Sequence, residues 1–446
     1  MARLRPRPNA ATGMSTLVVV GGRVLRPDMT VERADVLVDQ ESGTIEAVGD
    51  PDEVPDGDEH LDAGGGLVIP GLVNAHCHVA MTLFRGNADD KPLDAWLQED
   101  IWPVEAELQA GDVVAGARLG VAEMIKSGTT AFGDMYFFMN EVAEVVAEAG
   151  VRGALGRGCI TVGKDDEQAH ETFEEGLAFA EEYDGAGDGR IRTIFMPHSL
   201  TTVNQSFFEE YVPRAREAGL PIHFHANETE QEVEPIVAEH GQRPLAYADD
   251  LDLLAEDTFV AHGVHVDAAE IDLLAERGTA VAHCPASNMK LASGMAPVQA
   301  MLDAGVTVGI GTDGAGSNND LDMFDEMRDA AMLGKLAADD ASAVAAPTVV
   351  EMATQGSAAA LGFDSGRITE GANADLAVVD TDALHLTPQH DLVSHLAYAA
   401  RGSDVRHTVC DGTVLMADRE LLTIDEEQAK REAEECAEAL FERAGV

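Results

Sequence analysis

The segment GGLVIPGLVNAHCHVAMTLFRG, residues 65–86, sets an apolar run, Leu67-Val68-Ile69, against Pro70-Gly71. A second run, Leu72-Val73, then leads into His76, Cys77 and His78. If Leu72 to His78 is a strand, alternate side chains share a face, so the two imidazoles point the same way, one pleat apart. Two imidazoles so placed can both reach one ion at the usual Zn–N distance of about 2.0–2.1 Å. Histidines two apart also occur by chance, so the pair needs support from the rest of the chain. Cys77 points to the opposite face, as a small buried hydrophobe would.

Downstream, short apolar segments alternate with acidic amphipathic helices. Strands are expected at Thr129–Met135, Gly153–Cys159, Ile191–Met196, Pro221–His225, Thr258–His262, Ala280–His283 and Thr307–Gly311, which with Leu72–His78 makes eight. Helical stretches such as Asp112–Lys126, Glu141–Ala149, Glu171–Tyr183 and Ala268–Arg277 fall between them. Eight β/α units over residues 70–365 are the signature of an α/β fold of the (β/α)8, TIM-like barrel type. In that architecture chemistry is done at the C-terminal ends of strands. His78, Asp134, Arg157, His198, His225, His262, His283 and Asp313 all fall there.

The two ends of the chain read differently. Residues 16–24, 35–39 and 44–48 are short apolar or alternating runs punctuated by Gly and Asp, a β-meander. A matching set returns at Asp375–Asp380, Val405–Val409 and Thr413–Met416, with a turn at Asp411-Gly412. Edge strands need covering, so 15–69 and 366–422 are expected to pair into one small β-sandwich, with the barrel inserted between them. Residues 423–446 read as a C-terminal helix. The start, MARLRPRPNAATG, carries arginines but no apolar h-region, so residues 1–14 read as a disordered leader rather than a secretory signal.

Composition excludes several function classes. The chain has 446 residues, 45% of them apolar, and no apolar run of the roughly 18 residues that suggest a membrane span. The net charge of -52 arises from 81 acidic against 29 basic residues, the wrong sign for a nucleic-acid binder. The acid is spread through Glu141–Glu148, Glu171–Glu182, Glu228–Glu239 and Asp249–Asp257 rather than gathered in a tail, while the core pattern is kept. This is the composition of a folded protein solvated in concentrated salt, where self-repulsion is screened. The five cysteines (77, 159, 284, 410, 436) are scattered without a C-x-x-C, which argues for a reducing, cytoplasmic setting.

Pro221-Ile-His-Phe-His-Ala-Asn-Glu228 ends the fifth expected strand, with His225 at its mouth and Glu228 in the loop. His223 shares the inward face one layer deeper and reads as a packed or supporting group. The sixth strand ends in Val260-Ala-His262-Gly, the eighth in Gly309-Ile-Gly-Thr-Asp313-Gly. His76, His78, His225 and Asp313 offer three nitrogens and one carboxylate, a donor set suited to Zn2+ with a position left for water. Alone, His262 would be a hydrogen-bonded core residue and Asp313 a turn residue. What changes both readings is that each ends a strand on the rim that carries the histidine pair. Gly309-x-Gly311-x-x-Gly314 matches the dinucleotide fingerprint formally, but it closes the last unit instead of opening the first.

These features resemble the amidohydrolase superfamily, and within it the 5-methylthioadenosine/S-adenosylhomocysteine deaminase group. The resemblance is carried by PGLVNAHCHVAMTLFRG (70–86), GTTAFGDMYF (128–137), MPHS (196–199), HANE (225–228), HCPASNMKLASGMAPVQ (283–299) and GTDGAGSNNDLDMFDEMR (311–328). It implies one Zn2+ per subunit held by His76, His78, His225 and Asp313, with Glu228, His262 and Asp313 as the proton-handling groups. A single ion also fits the absence of a lysine at the end of the third or fourth strand, where binuclear relatives carry a bridging carboxylated lysine. The resemblance further implies Glu105 on the ribose hydroxyls, His198, Glu228 and Ser317 on the purine, and Arg157 on an amino-acid carboxylate. A second arginine expected for that carboxylate does not carry over, since Ala169 stands in about its place. Methylthioadenosine or 5′-deoxyadenosine is therefore expected to be preferred over S-adenosylhomocysteine.

The reading that follows is a cytoplasmic, zinc-dependent aminohydrolase converting a 5′-modified adenosine to the inosine analogue and ammonia. Its partner is a small nucleoside, with neither nucleic acid nor membrane, and a homo-oligomer is expected. Two alternatives stand beside it: another aminohydrolase of the same superfamily, acting on guanine, cytosine or an s-triazine, and a catalytically silent metal-binding scaffold. The charge yields a first prediction. The melting temperature rises between about 0.1 M and about 3 M KCl, as screening lengths shrink from about 10 Å to 3 Å or less; equal melting temperatures at the two salts contradict it.

Overall fold

The computed structural model describes residues 15–446; the leader expected over residues 1–14 lies outside the described residues. The fold is mixed α/β. Leu72–His78 pairs in parallel with Thr129–Tyr136, which pairs with Arg152–Cys159. Arg152–Cys159 in turn pairs with two short pieces, Ile191–Thr193 and Met196–Pro197. A second parallel set runs Ile222–Ala226, Thr258–His262, Ala280–His283, Val308–Ile310. Bridges Phe195–Ile222 and Ser199–His225 join the two sets. Asp313–Gly314 pairs back onto Leu72–His78, with Asp313 beside Cys77 and Gly314 beside His78.

The fourth and eighth expected strands are therefore each interrupted. At the eighth, the ladder gap is filled by a buried side chain. Asn74 Oδ1 accepts from the Thr312 amide at 3.0 Å, and Asn74 Nδ2 donates to Thr312 Oγ1 at 2.7 Å. Gly311 is what lets this segment approach. A Cβ there would lie 2.8 Å from both the His76 amide nitrogen and carbonyl oxygen, closer than packed atoms tolerate. The glycines of the formal dinucleotide fingerprint thus serve close packing, Gly309 against Ser357 and Ala75, Gly311 against His76, and Gly314 against Met81 and His78.

Helices cover the strands because their apolar residues recur on one face. Ala110–Lys126 buries Val113, Ala117, Val121 and Met124, and its other flank receives the C-terminal helix Glu426–Ala444. Lys126–Glu426 and Arg118–Glu432, both at 2.7 Å, lace the two helices together. Such part-exposed pairs contribute about 0–1 kcal/mol each, so apolar burial carries the contact.

Both chain ends enter one nine-stranded sheet. Its order is Glu420–Leu421, Thr413–Ala417, Val405–Cys410, Leu376–Val379, Leu67–Pro70, Thr16–Leu25, Val31–Asp39, Thr44–Gly49, with Glu59–Asp62 also on Thr16–Leu25. Asp411-Gly412 forms the expected two-residue hairpin turn, both residues with positive φ (51° and 71°), where glycine is at ease. Leu67–Pro70 lies in the middle of the sheet and runs through Gly71 straight into the histidine strand, so the histidine-bearing segment is anchored at its base.

A buried charge cluster locks the two parts together. Arg152, at the start of its strand, donates from Nε to Asp375 Oδ2 and from Nη2 to Asp411 Oδ1, both at 2.8 Å. Asp375 also accepts from the Asp411 amide at 2.9 Å and from Ser365 Oγ at 2.5 Å. Removing one partner strands the other charge in the interior. Asp375→Ala is expected to cost about 3–5 kcal/mol, read as a lower urea midpoint in concentrated KCl; an unchanged midpoint contradicts it.

Candidate functional site

His76, His78 and His225 bring their rings within 5.5 Å of one another, centroid to centroid. Each is oriented through Nδ1. His78 Nδ1 donates to the Met135 carbonyl at 2.5 Å, and His225 Nδ1 to the His198 carbonyl at 2.8 Å. His223 Nδ1 meets the Phe259 carbonyl at 2.8 Å, and a carbonyl can only accept, so the proton sits on His223 Nδ1. His223 Nε2 must then accept from His76 Nδ1, at 2.8 Å. The consequence for all three residues is the same: in the neutral ring it is Nε2 that carries the lone pair. That of His76 is buried with no hydrogen-bond partner.

Two of these nitrogens, on His76 and His78, face Asp313. Its Oδ1 lies 3.4 Å from His76 Nε2 and 3.2 Å from His78 Nε2. Two ligands of one tetrahedral ion, each at about 2.0–2.1 Å, stand about 3.3–3.4 Å apart. His76 and His78 thus stand from Asp313 at the spacing of ligands on one ion, and His76–His78–His225 and His76–His262–Asp313 are two groups whose ligand atoms lie within 4.8 Å of one another. Asp313 Oδ2 is held by the hydroxyls of Ser287 and Ser317, each at 2.7 Å, which leaves Oδ1 free to point inward.

Electrostatics favour a cation at this point. Burial pushes His76 down to about 4 and His225 well below its ordinary value, so both are neutral donors. For His78 burial also lowers the pKa, but the Asp313 carboxylate outweighs it and pushes the group up to about 9. Asp313 itself, which burial alone would raise, is held well below the usual carboxylate range by His76 and His78. The carboxylate thus calls for positive charge where the three lone pairs converge.

Beside this cluster stand Glu228 and His262. His262 Nδ1 donates to Asn288 Oδ1 at 3.0 Å, so its Nε2 is an acceptor, 3.5 Å from Glu228 Oε2. Glu228 Oε1 accepts from Ser293 Oγ at 3.3 Å. Burial, with the nearby Asp313 charge, pushes the Glu228 carboxyl up to about 8. Strain accompanies the geometry. His262 (φ 74°), Asp313 (φ 59°) and Asn227 (φ 55°), just before Glu228, occupy the left-handed region. Non-glycine residues there cost of order 1–3 kcal/mol and cluster at functional sites.

A cavity of about 510 Å³ opens over His78, His225, Glu228, His262 and Asp313. An adjoining cavity of about 890 Å³ shares Trp102, Glu105 and His198 with it. Glu105 ends the short helix Trp102–Glu105 and accepts from the Tyr136 hydroxyl at 2.8 Å; burial raises its pKa. His198 Nδ1 is engaged by Thr202 Oγ1 at 2.9 Å, which leaves its Nε2 edge for a ligand. Arg157 lines only the larger cavity, where Glu175 holds it at 2.7 Å.

Ser317 departs from expectation. It lines neither cavity, and its buried hydroxyl is spent on Asp313; it braces a carboxylate rather than meeting a ring. The turn after Asp313, with the Ser317 amide on the Gly314 carbonyl at 2.9 Å, folds it back. Asp134 and His283 also lie behind the cavities, fully buried. Sequence reasoning passed over the supporting residues Ser287, Asn288, Ser293 and Tyr136. The first three stand within the HCPASNMKLASG run and would have been found by asking what hydrogen-bonds each strand-end group.

Residues 67–415 match the family model described as Amidohydrolase family. The 5-methylthioadenosine/S-adenosylhomocysteine deaminase of Haloarcula marismortui is 71% identical over 432 residues, covering 97% of this chain and all of its own length. The 5′-deoxyadenosine deaminase of Methanococcoides burtonii is 43% identical over 431 residues, 96% of this chain and 99% of its own. Among solved structures, an adenosine deaminase from Xanthomonas campestris with bound zinc superposes with a TM-score of 0.91 at 39% identity, covering 96% of this chain and 98% of that one. With its histidine strand, its converging lone pairs and a family match spanning most of its length, the chain belongs to the amidohydrolase family.

Proposed function

We propose that this protein is a zinc-dependent aminohydrolase that converts a 5′-modified adenosine and water to the inosine analogue and ammonia. The observation that carries the reading is a cluster of three imidazoles, two of them at ligand spacing from an Asp313 oxygen, beside a buried carboxyl whose pKa is raised. The names of the relatives support the nucleoside class. The strand pairings support a (β/α)8 barrel over residues 70–365, and the nine-stranded sheet supports a β-sandwich built from 15–69 and 366–422, with 423–446 as an appended helix. His76, His78, His225 and Asp313 would hold one Zn2+ per subunit.

Bound there, the ion supplies Lewis acidity, which lowers the pKa of a water at the site to about 7. The chain's own residues handle the protons. Glu228, neutral at pH 7, donates to the ring nitrogen next to the amine-bearing carbon and makes that carbon electrophilic. His262 Nε2 takes a proton from the attacking water, since Asn288 fixes the tautomer that leaves this nitrogen free. Asp313 orients the same water through Oδ1. The carboxylate left on Glu228 takes the remaining proton of the added hydroxyl and passes it to the amine, which leaves as ammonia, and the proton held on His262 returns to Glu228, 3.5 Å away. Glu105 is suited to the ribose hydroxyls, and the free edge of His198 to the purine. An acceptor pair at the ribose favours a nucleoside over the guanine, cytosine or triazine alternatives, and the intact Glu228–His262 pair speaks against a silent scaffold.

Three outcomes are expected. Glu228→Gln retains zinc and loses adenine deamination, followed by absorbance, whereas His225→Ala loses both; a fully active Glu228→Gln overturns the general-acid assignment. His223→Ala, which touches no substrate, weakens zinc retention about 10–100-fold in chelator competition by freeing the His76 ring; unchanged retention contradicts this. Because Glu228 must carry its proton, kcat/KM falls as pH rises through a midpoint no higher than about 8, a nearby cation only favouring the carboxylate. A profile flat well above that value contradicts it.

A further inference from the structure

The 890 Å³ cavity beyond Glu105 is where a 5′ substituent would extend, and its charged walls are unequal. Two cations line it, Arg157 and Lys164, against the carboxylates Glu105, Glu141, Glu175 and Glu182. Arg157 is not available as a free cation. Its Nη2 is bound to Glu175 Oε2 at 2.7 Å, and its Nε is buried without a partner. Glu175 projects from the helix Asp166–Tyr183, half exposed, so the pair is inexpensive to break, yet it occupies the donor that a ligand carboxylate would use.

We propose that Glu175 is a specificity-determining residue that neutralises Arg157 and turns the larger cavity toward uncharged 5′ substituents. The inference rests on the aminohydrolase reading above. An incoming amino-acid carboxylate must share Arg157 with the Glu175 carboxylate already bound to it or displace that carboxylate, with Glu141 and Glu182 adding repulsion. A methylthio group or a bare 5′ carbon meets no such competition and packs on apolar surface, including Phe137, Ile160 and Val162. Selectivity is thereby set by a competitor on the protein, through a side chain remote from the reacting carbon.

The test is a comparison of kcat/KM for S-adenosylhomocysteine and methylthioadenosine in the full-length protein in concentrated KCl. Glu175→Gln, a conservative change at a solvent-facing helix position, is expected to raise the ratio of the two by about tenfold, the scale of one charge-assisted hydrogen bond. The gain should appear chiefly as a lower KM for S-adenosylhomocysteine, and it should vanish in the Glu175→Gln/Arg157→Gln double variant. An unchanged ratio, as when Lys164 alone captures the carboxylate, overturns the proposal. So does a fallen ratio, which makes Glu175 the partner of the substrate's ammonium group. Equal losses for both substrates, the mark of a structural role, overturn it as well. If the unmodified protein deaminates neither nucleoside, the aminohydrolase reading fails first and this inference with it; if it deaminates both and only the ratio resists, this inference fails alone.

Discussion

The hydrogen-bond chain from the Phe259 carbonyl through His223 to His76 is the constraint on which the rest of the site depends. A carbonyl has no proton to give, so each ring in the chain has its tautomer dictated from behind. The final nitrogen is left as a bare, buried donor. The Met135 and His198 carbonyls do the same for His78 and His225. Backbone carbonyls on or just beyond neighbouring strands thus decide the tautomers of the candidate ligand rings, and pairing and chemistry are two aspects of one arrangement. The close approach allowed by Gly311, with Asn74 filling the broken ladder, brings Asp313 to face those nitrogens.

The surroundings separate two kinds of carboxyl. Asp313 is buried among imidazoles and kept ionised; Glu228 is buried beside that negative charge and kept neutral. One can therefore serve as a ligand and the other as an acid at the same pH, which is the division of labour that hydrolytic deamination requires. The positive φ at His262, Asp313 and Asn227 suggests that local backbone preference is overruled to aim these groups, at a cost that the packed strands around them must offset.

Much of this was legible in the residue order, for physical reasons. Period-two alternation placed His76 and His78 on one face, and strand ends marked His225, His262 and Asp313, because side-chain direction in a strand follows from counting alone. Boundaries held to within a residue or two for most of the parallel strands, whereas the strand expected over 35–39 begins at Val31 and the helix expected from Glu171 begins at Asp166. They failed at the fourth and eighth strands, where the ladder is interrupted by contacts made across the chain, as between Asn74 and Thr312. Ser317 shows the limit most clearly: proximity to Asp313 was readable, but whether its hydroxyl turned to a ligand or to the carboxylate depended on the turn that follows. The braces Ser287, Asn288 and Ser293 stand in a recognisable run, but the partners they bond, like the grip of Glu175 on Arg157, lie across two elements, and the residue order does not say which atoms meet.

The most direct test of the metal centre is X-ray absorption at the zinc edge of the zinc-loaded protein. Three imidazole nitrogens and one or two oxygens at about 2.0–2.1 Å, with multiple scattering from three rings and no sulfur, are predicted. A sulfur shell at about 2.3 Å, or a coordination sphere of oxygens without imidazole scattering, would contradict the convergence of His76, His78, His225 and Asp313 on one ion.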